Sequence, residues 1–577
     1  PGRAALLGAA YGTAWVAGST WTTSPTGAVI NPALPRDWTY AFGGTWRVNH
    51  NYTVDLRVCN SVEGGCTGTL DSETFVVDSS APANSVTNPS MAAHRAGQLG
   101  TLTGSVVDVT APAQPGSLDT AGVYFRVVRI KDGREWNVLA STFVVAPGDN
   151  LLATDAGAGL FTYTTTYLAT DAMFESGYQY RVNLTAADKA GNSATANSAL
   201  FRYDVSLPTA AFTVPVPTAK INTLGTLSGT ARDPNPKLGD SNSSASGIAA
   251  VEVLLQRQLN GFYFNGTNFG NAAATWLPAS FYEQSVGVAT FTYTDPDLEG
   301  ALQSGHYTLS VRARDVAGNT QDLWTATGSS MTVIIDKDAP SISITQPSLP
   351  AYAATAVPVP QGVTVDPLIN GASSGLLTQG VDVLLWYLQG STSYYWTGST
   401  FSTTLTTVTA NSAAWTLPLV PSAVQYAWPG DKVFHLQARS HDDSTLADAN
   451  VSPSSGNVSV LSPITSFIVD SQPPVSSMTA ITDGGYINAL VALNGTADAA
   501  LAGLQEVQIR ITTNPVTGPN WTGSSYSFTT VWTTATLAGN NWSYDDLSGA
   551  FADNQTYFLF SRAVAVMYRQ RSSTLFR

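Results

Sequence analysis

The chain has 577 residues and a net charge of −14 at pH 7, with an isoelectric point near 4.7, which argues against a nucleic-acid backbone as partner. Charged residues make up 11%, against roughly 25% in ordinary soluble domains, so Thr, Ser, Asn and Gly carry the polar surface, a composition that suits a secreted or surface protein. No apolar run approaches the ~20 residues of a membrane helix, and the chain, which begins at Pro1 with no signal peptide in view, reads as a processed or excised piece.

From the N-terminus, the first segment carries Trp15–Trp21, Trp38-Thr39-Tyr40 and the alternation Tyr52, Val54, Leu56, Val58. Period-two alternation marks a half-buried strand. Phe75-Val76-Val77-Asp78 follows, with Pro82 four residues after the Asp. That signature recurs as Phe201–Asp204 with Pro208, Val333–Asp336 with Pro340 and Phe467–Asp470 with Pro474. A signature returning every ~130 residues means one domain repeated. Each copy reads as a last strand, a short stiff linker and the start of the next domain, because proline fixes φ and cannot donate into a sheet.

The pieces between the signatures repeat as well. An opening strand recurs at Gly100–Gly104 and Gly225–Gly229, and Phe161–Tyr163 and Phe291–Tyr293 match Trp38–Tyr40. An alternating strand at Tyr180–Ala186 runs into the turn Asp188–Asn192, and Tyr307–Ala313 runs into Asp315–Asn319. The fourth copy has Trp396–Phe401, Trp415–Leu417 and a turn that has drifted to Ser440–Asp443. The fifth has Leu493–Thr496, Trp521–Tyr526, Trp542–Tyr544 and a closing segment Ser573–Arg577 that resembles Ser198–Arg202. About seven short strands per copy with no helical periodicity predict an all-β fold, a tandem array of Ig-like β-sandwiches. The expected modules are 1–80, 81–206, 207–338, 339–472 and 473–577. The first lacks its opening strands, because Pro1 falls near position 250 of the third. Sandwiches with ~8–10-residue strands are about 35–40 Å long, so five extended modules would reach roughly 180 Å.

The run Y-x-L-x-V-x-A-x-D-x-A-G-N at Tyr307–Asn319, followed by a strand and D-x3-P, resembles the bacterial Ig-like domains that occur in tandem in adhesins and giant extracellular proteins. The resemblance covers nearly the whole chain and implies a structural or adhesive role outside a bacterial cell. It departs from the pattern where the turn Asp aligns with Asn60, Ser440 and Ala565. Such folds are poor guides to function.

Catalytic chemistry is hard to find. The histidines His50, His94, His306, His435 and His441 are scattered, and Gly371–Gly375 fits G-x-S-x-G without the strand and helix that a nucleophile elbow requires. Neither a catalytic nor a cofactor-binding set is expected. Calcium is the one ligand to weigh. Asp188, Asp204, Asp315 and Asp336 are repeated carboxylates near module ends, and oxygen donors suit Ca²⁺; alternatively, Asp and Asn hold a turn through their own backbone. Asp240–Ser244 offers alternating oxygens without a following bidentate Glu. Cys59 and Cys66 flank a hairpin loop and read as a disulfide across it, or as two free thiols. Sequons such as Asn183-Leu184-Thr185 and Asn520-Trp521-Thr522 are candidate glycosylation sites.

The matched Trp, Phe and Tyr residues are expected to fill the gap between sheets; an exposed sugar-stacking platform stays open for Trp396 and Trp521. The expected function is a stalk or surface-fibre component. An incomplete first module would expose a sheet edge, and another copy or an upstream piece of chain would complete it; a cell-surface glycan or protein is a further candidate partner. The alternative is a non-catalytic carbohydrate-binding or spacer region of a secreted enzyme.

Overall fold

The structure is a computed structural model. It describes residues 71–576 apart from 109–117, 322–327, 419–427, 447–455, 480 and 567–570, and before residue 71 only 3–10, 29–30, 38–39, 45–46, 48 and 50–59. The chain is a tandem array of all-β sandwiches. Its two helices among the described residues, Thr166–Ala169 and Leu298–Ala301, are single turns before a long strand. No helix among the described residues is long and apolar enough to cross a membrane.

Four successive cores lie at residues 99–203, 210–335, 352–469 and 478–563. The sandwich at 210–335 shows the plan. One layer places Thr209–Val214, Thr226–Arg232, Val288–Thr294 and Leu277–Ser285 side by side; the other joins Ile248–Arg257, Gly305–Asp315, Ser330–Ile335 and Lys220–Thr223, and Leu277–Ser285 links the two by pairing with Val288–Thr294 and with Ile248–Arg257. The alternation read from sequence sets the faces: along Gly305–Asp315, Tyr307, Leu309, Val311 and Ala313 are all buried. The first strand is split. Its second part pairs parallel to the last strand, as Lys220–Thr223 on Ser330–Ile335, Ala93–His94 on Phe201–Tyr203 and Ala351–Ala353 on Thr465–Asp470. The last strand is thereby locked at the end of the sandwich.

Pro82, Pro208, Pro340 and Pro474 all stand outside strands, one residue before Ala83–Asn88, Thr209–Val214, Ser341–Gln346 and Val475–Met478. The repeated tyrosine tethers the loop before its own strand. Tyr307 donates its hydroxyl to the Gln303 carbonyl (3.0 Å) and accepts from the Gln303 N–H (3.1 Å), the tyrosine corner of Ig-type sandwiches. Trp396, Trp415 and Trp521 are buried in the cores, so Trp396 and Trp521 present no ring face for a sugar.

At the near end, Arg3–Ala10 pairs antiparallel with His50–Cys59, as Ile248–Arg257 pairs with Gly305–Asp315. At the far end, Arg571–Phe576 pairs with Phe558–Ala565 of the same sandwich; the strand starts two residues before the segment Ser573–Arg577 that matches Ser198–Arg202. Cys66 lies outside the described residues and Cys59 is described only as a strand end, so their pairing lies outside them too.

Candidate metal centres between the cores

Three kinds of aspartate converge where one sandwich hands the chain to the next. The first kind closes the last strand: Asp78, Asp204, Asp336 and Asp470. The second stands four residues after the opening-strand glycine, as Asp108 after Gly104, Asp233 after Gly229 and Asp366 after Gly362. The third ends the long central strand. Register identifies it, since Leu118 faces Asp188, Ile248 faces Asp315 and Leu376 faces Asp442.

That register corrects the alignment of the turn Asp with Ser440. In the fourth sandwich the residue in this place is Asp442, and its partner Asn comes not four residues later, as Asn319 follows Asp315, but at Asn457. An insertion inside the turn hid the match. The turn carboxylate is therefore present in the fourth module and replaced by Ala565 in the fifth, where Leu504 faces Ala565.

The aspartates form three trios: Asp78, Asp108 and Asp188; Asp204, Asp233 and Asp315; Asp336, Asp366 and Asp442. Within each, one carboxylate oxygen from every residue lies within 4.8 Å of the others. The sequence candidates Asp188, Asp204, Asp315 and Asp336 thus divide among three sites. Asp78, Asp108, Asp233, Asp366 and Asp442 were missed as ligands. The signal for three of them was the G-x3-D spacing after the opening strand.

The middle trio is wholly buried. Asp204 accepts from the Ser206 N–H (2.9 Å) through one oxygen and from the Ser246 N–H (2.7 Å) of the next sandwich through the other. Asp315 accepts from the Asn319 N–H (2.8 Å) and side-chain amide (2.7 Å). That same amide donates to the Asp204 main-chain carbonyl (2.9 Å). Asn192 and Asn457 repeat the bridge to the Asp78 and Asp336 carbonyls. One oxygen of Asp233 accepts from Ser246 and Gly247. The other, Oδ1, is buried and has no hydrogen-bond partner among the described residues, and Oδ1 of Asp366 is in the same position in its trio.

Crowded buried carboxylates repel; two unit charges ~5 Å apart cost roughly 3 kcal/mol at an effective dielectric of 20. Desolvation, with Asp204 and Asp315 adding to it, pushes the Asp233 carboxyl up to about 7. Burial also raises Asp315 and Asp366. A cation removes both the repulsion and the orphaned oxygen. Calcium holds six to eight oxygens at about 2.3–2.6 Å, so its ligands stand no more than about 5 Å apart. The spacing, the all-oxygen donors and the orphaned Asp233 oxygen fit such an ion. The turn reading fits part of the same geometry, since Asp315 does hold its own turn; it leaves Asp233 unexplained.

Other candidate sites resolve differently. Asp240 accepts from Tyr178 and Asn242 and belongs to no trio. Ser373 of the G-x-S-x-G run donates to Asp366, in a loop with no helix after it. His306 contacts the Gly371 carbonyl across the next gap (3.1 Å).

No family model matches the chain, and no curated protein matches it. Several solved structures are similar. One is from a 1.5-MDa bacterial ice-binding adhesin retained at a host cell surface, at 17% identity over 68% of this chain and 100% of that one, with a TM-score of 0.24. Another is the EC3–6 cis-dimer of protocadherin gammaB7, at 13% identity over 84% of this chain and 98% of that one, TM-score 0.25. A third is the FN1–FN3 segment of chicken CNTN1, at 8% identity over 64% and 94%, TM-score 0.22.

Proposed function

We propose that the chain is a non-catalytic extracellular array with a structural or adhesive role, built from five Ig-like modules at 1–80, 81–206, 207–338, 339–472 and 473–577, and that calcium sets its first three junctions. The observation that carries this reading is the carboxylate trio repeated at three successive junctions, with a buried, unpartnered Asp233 oxygen in the middle one. Each trio takes Asp from the end of one module and two Asp from the next, so an ion there would couple the two modules directly. A surface protein whose joints stiffen in a calcium-rich exterior can hold a binding region away from a cell. The test is calcium titration of chelator-treated full chain by calorimetry, with small-angle X-ray scattering in parallel. Uptake of about three ions per chain with a longer maximum dimension is expected. No uptake at millimolar calcium would overturn the reading.

A further inference from the structure

The junction before the fifth module is built from the same positions as the other three and filled with opposite chemistry. Asp470 is retained, buried, and accepts from the Ala502 N–H (3.1 Å), as Asp204 accepts from Ser246 and Asp336 from Ser374. The other two carboxylates are gone. Val475 faces Asp498 as Thr209 faces Arg232, so the position after each strand, Asp233 in the third module, is Ala499 in the fifth. Register likewise puts Ala565 in the place of Asp315.

The surroundings change in step. Lys220 pairs with Ile334 as Ala351 pairs with Ile468. Lys220 reaches across its junction to Asp443 (3.2 Å) and the Ser374 carbonyl (2.7 Å); Ala351 can do neither. Instead Ala351, Ala499 and Ala565 form a small buried apolar cluster, with Ile468 from one side and Ala502 and Leu504 from the other packed on it. None of the three alanines belongs to the core on either side; one comes from the fourth module and two from the fifth, and Leu504 also packs on the core of the fifth. Apolar atoms in contact across a joint need no ion to close it, and they would exclude one.

We infer that the fourth junction is a cation-independent joint, closed by packing, while the preceding three close on calcium. This rests on the calcium reading of the three trios. Calcium loss then does not loosen the chain evenly: modules four and five stay one body, and the upstream modules articulate.

The experiment uses the full chain with spin labels attached through unnatural amino acids at exposed positions, which leaves the cysteines alone. One pair, Tyr282 and Leu405, spans the Asp336 trio; the other, Leu405 and Val516, spans the alanine cluster. Pulsed dipolar distances are recorded in calcium and in EGTA, with calcium stoichiometry measured on the same sample. Chelation is expected to broaden the first distribution and leave the second unchanged. Broadening of both, with calcium bound, overturns the inference and leaves the trios standing. Absence of calcium uptake with neither distribution changed removes the trio reading, and the contrast goes with it. A second variant, Ala499→Asp with Ala565→Asp, rebuilds the trio; it is expected to add one calcium per chain and to make the second distance chelator-sensitive. A folded double variant whose second distance ignores EGTA would also count against the inference.

Discussion

The side-chain amide of Asn319 donates to the main-chain carbonyl of Asp204 at 2.9 Å, linking two residues 115 positions apart. The same nitrogen donates to Asp315, so one buried side chain holds the turn of one module against the last strand of the previous one. Asn319→Ala leaves the Asp204 carbonyl and an Asp315 oxygen without their donor. An unpaired buried polar group costs about 1–3 kcal/mol. Amide exchange of the segment 305–321 is expected to accelerate, with that of the fifth module unchanged. Unaltered protection at 305–321 would mean that Asn319 does not tie the junction.

Asp233→Asn separates the metal from the fold. In EGTA the substitution removes one of three mutually repelling carboxylates, so the third module is expected to unfold at a higher temperature than in the unmodified chain. In calcium the order reverses. The unmodified chain gains about 2.7 kcal/mol at a free concentration one hundred times the dissociation constant, and the variant loses most of that gain. Differential scanning calorimetry in the two buffers reads both signs. A variant destabilised equally in both would assign Asp233 to the fold alone.

How far the sequence speaks depends on whether function and fold use the same local signal. Pro208 and Asp204 announce a strand end because proline cannot enter the sheet, and the alternation at Tyr307–Ala313 declares its buried face; both are local and both are legible. Asp233 is not, because its one local mark, the spacing of four residues after Gly229, does not say which carboxylates it meets. It meets Asp204 and Asp315 only through sheet register. Asp442 was hidden for a different reason, the insertion that carries its partner away to Asn457. Ala565 looked like the loss of a motif, and only its contact with Ala351 and Ala499 shows that it fills space.

His94 gives the second module a pH dependence of its own. It is buried, its Nε2 accepts from the Met91 N–H (3.3 Å), and its Nδ1 has no hydrogen-bond partner among the described residues. Burial lowers its pKa below the ordinary 6.5. The folded state therefore resists a proton that the unfolded state accepts. Above pH 6.5 neither state is protonated and stability is unaffected; as pH falls below 6.5 the unfolded state gains the proton and stability drops, until the folded pKa is reached. His94→Phe, whose ring can keep the edge contact with Phe201, is expected to remove this slope. Exchange protection of 179–188 measured from pH 8 to pH 5 provides the comparison, and equal slopes in both proteins would exonerate His94.

Two glycines at the opening strand of the third module, Gly225 just before it and Gly229 within it, make the sharpest contrast. A Cβ on Gly229 would stand 2.1 Å from the Ala211 carbonyl oxygen and 2.5 Å from the Phe291 ring, whereas one on Gly225 would meet nothing within 4 Å. Gly229 sits where the neighbouring strand shifts register between Phe212 and Val214, and the missing side chain lets that strand and the aromatic ring close on the backbone. Gly362 and Gly495 stand similarly close to a neighbouring carbonyl and an aromatic ring, and Gly104 is crowded by the Leu184 side chain and the Ser85 carbonyl. A carbonyl fixed in a ladder cannot retreat as a side chain would. Gly229→Ala is therefore expected to cost about 3 kcal/mol, at the upper end of ordinary overpacking. Gly225→Ala should stay within about 0.5 kcal/mol, as surface changes usually do. Because an array unfolds in several steps, the reading is amide exchange of the segment 226–232 rather than one global midpoint. If the two substitutions lower that protection equally, the close approach at Gly229 does not bear on the stability of the sandwich.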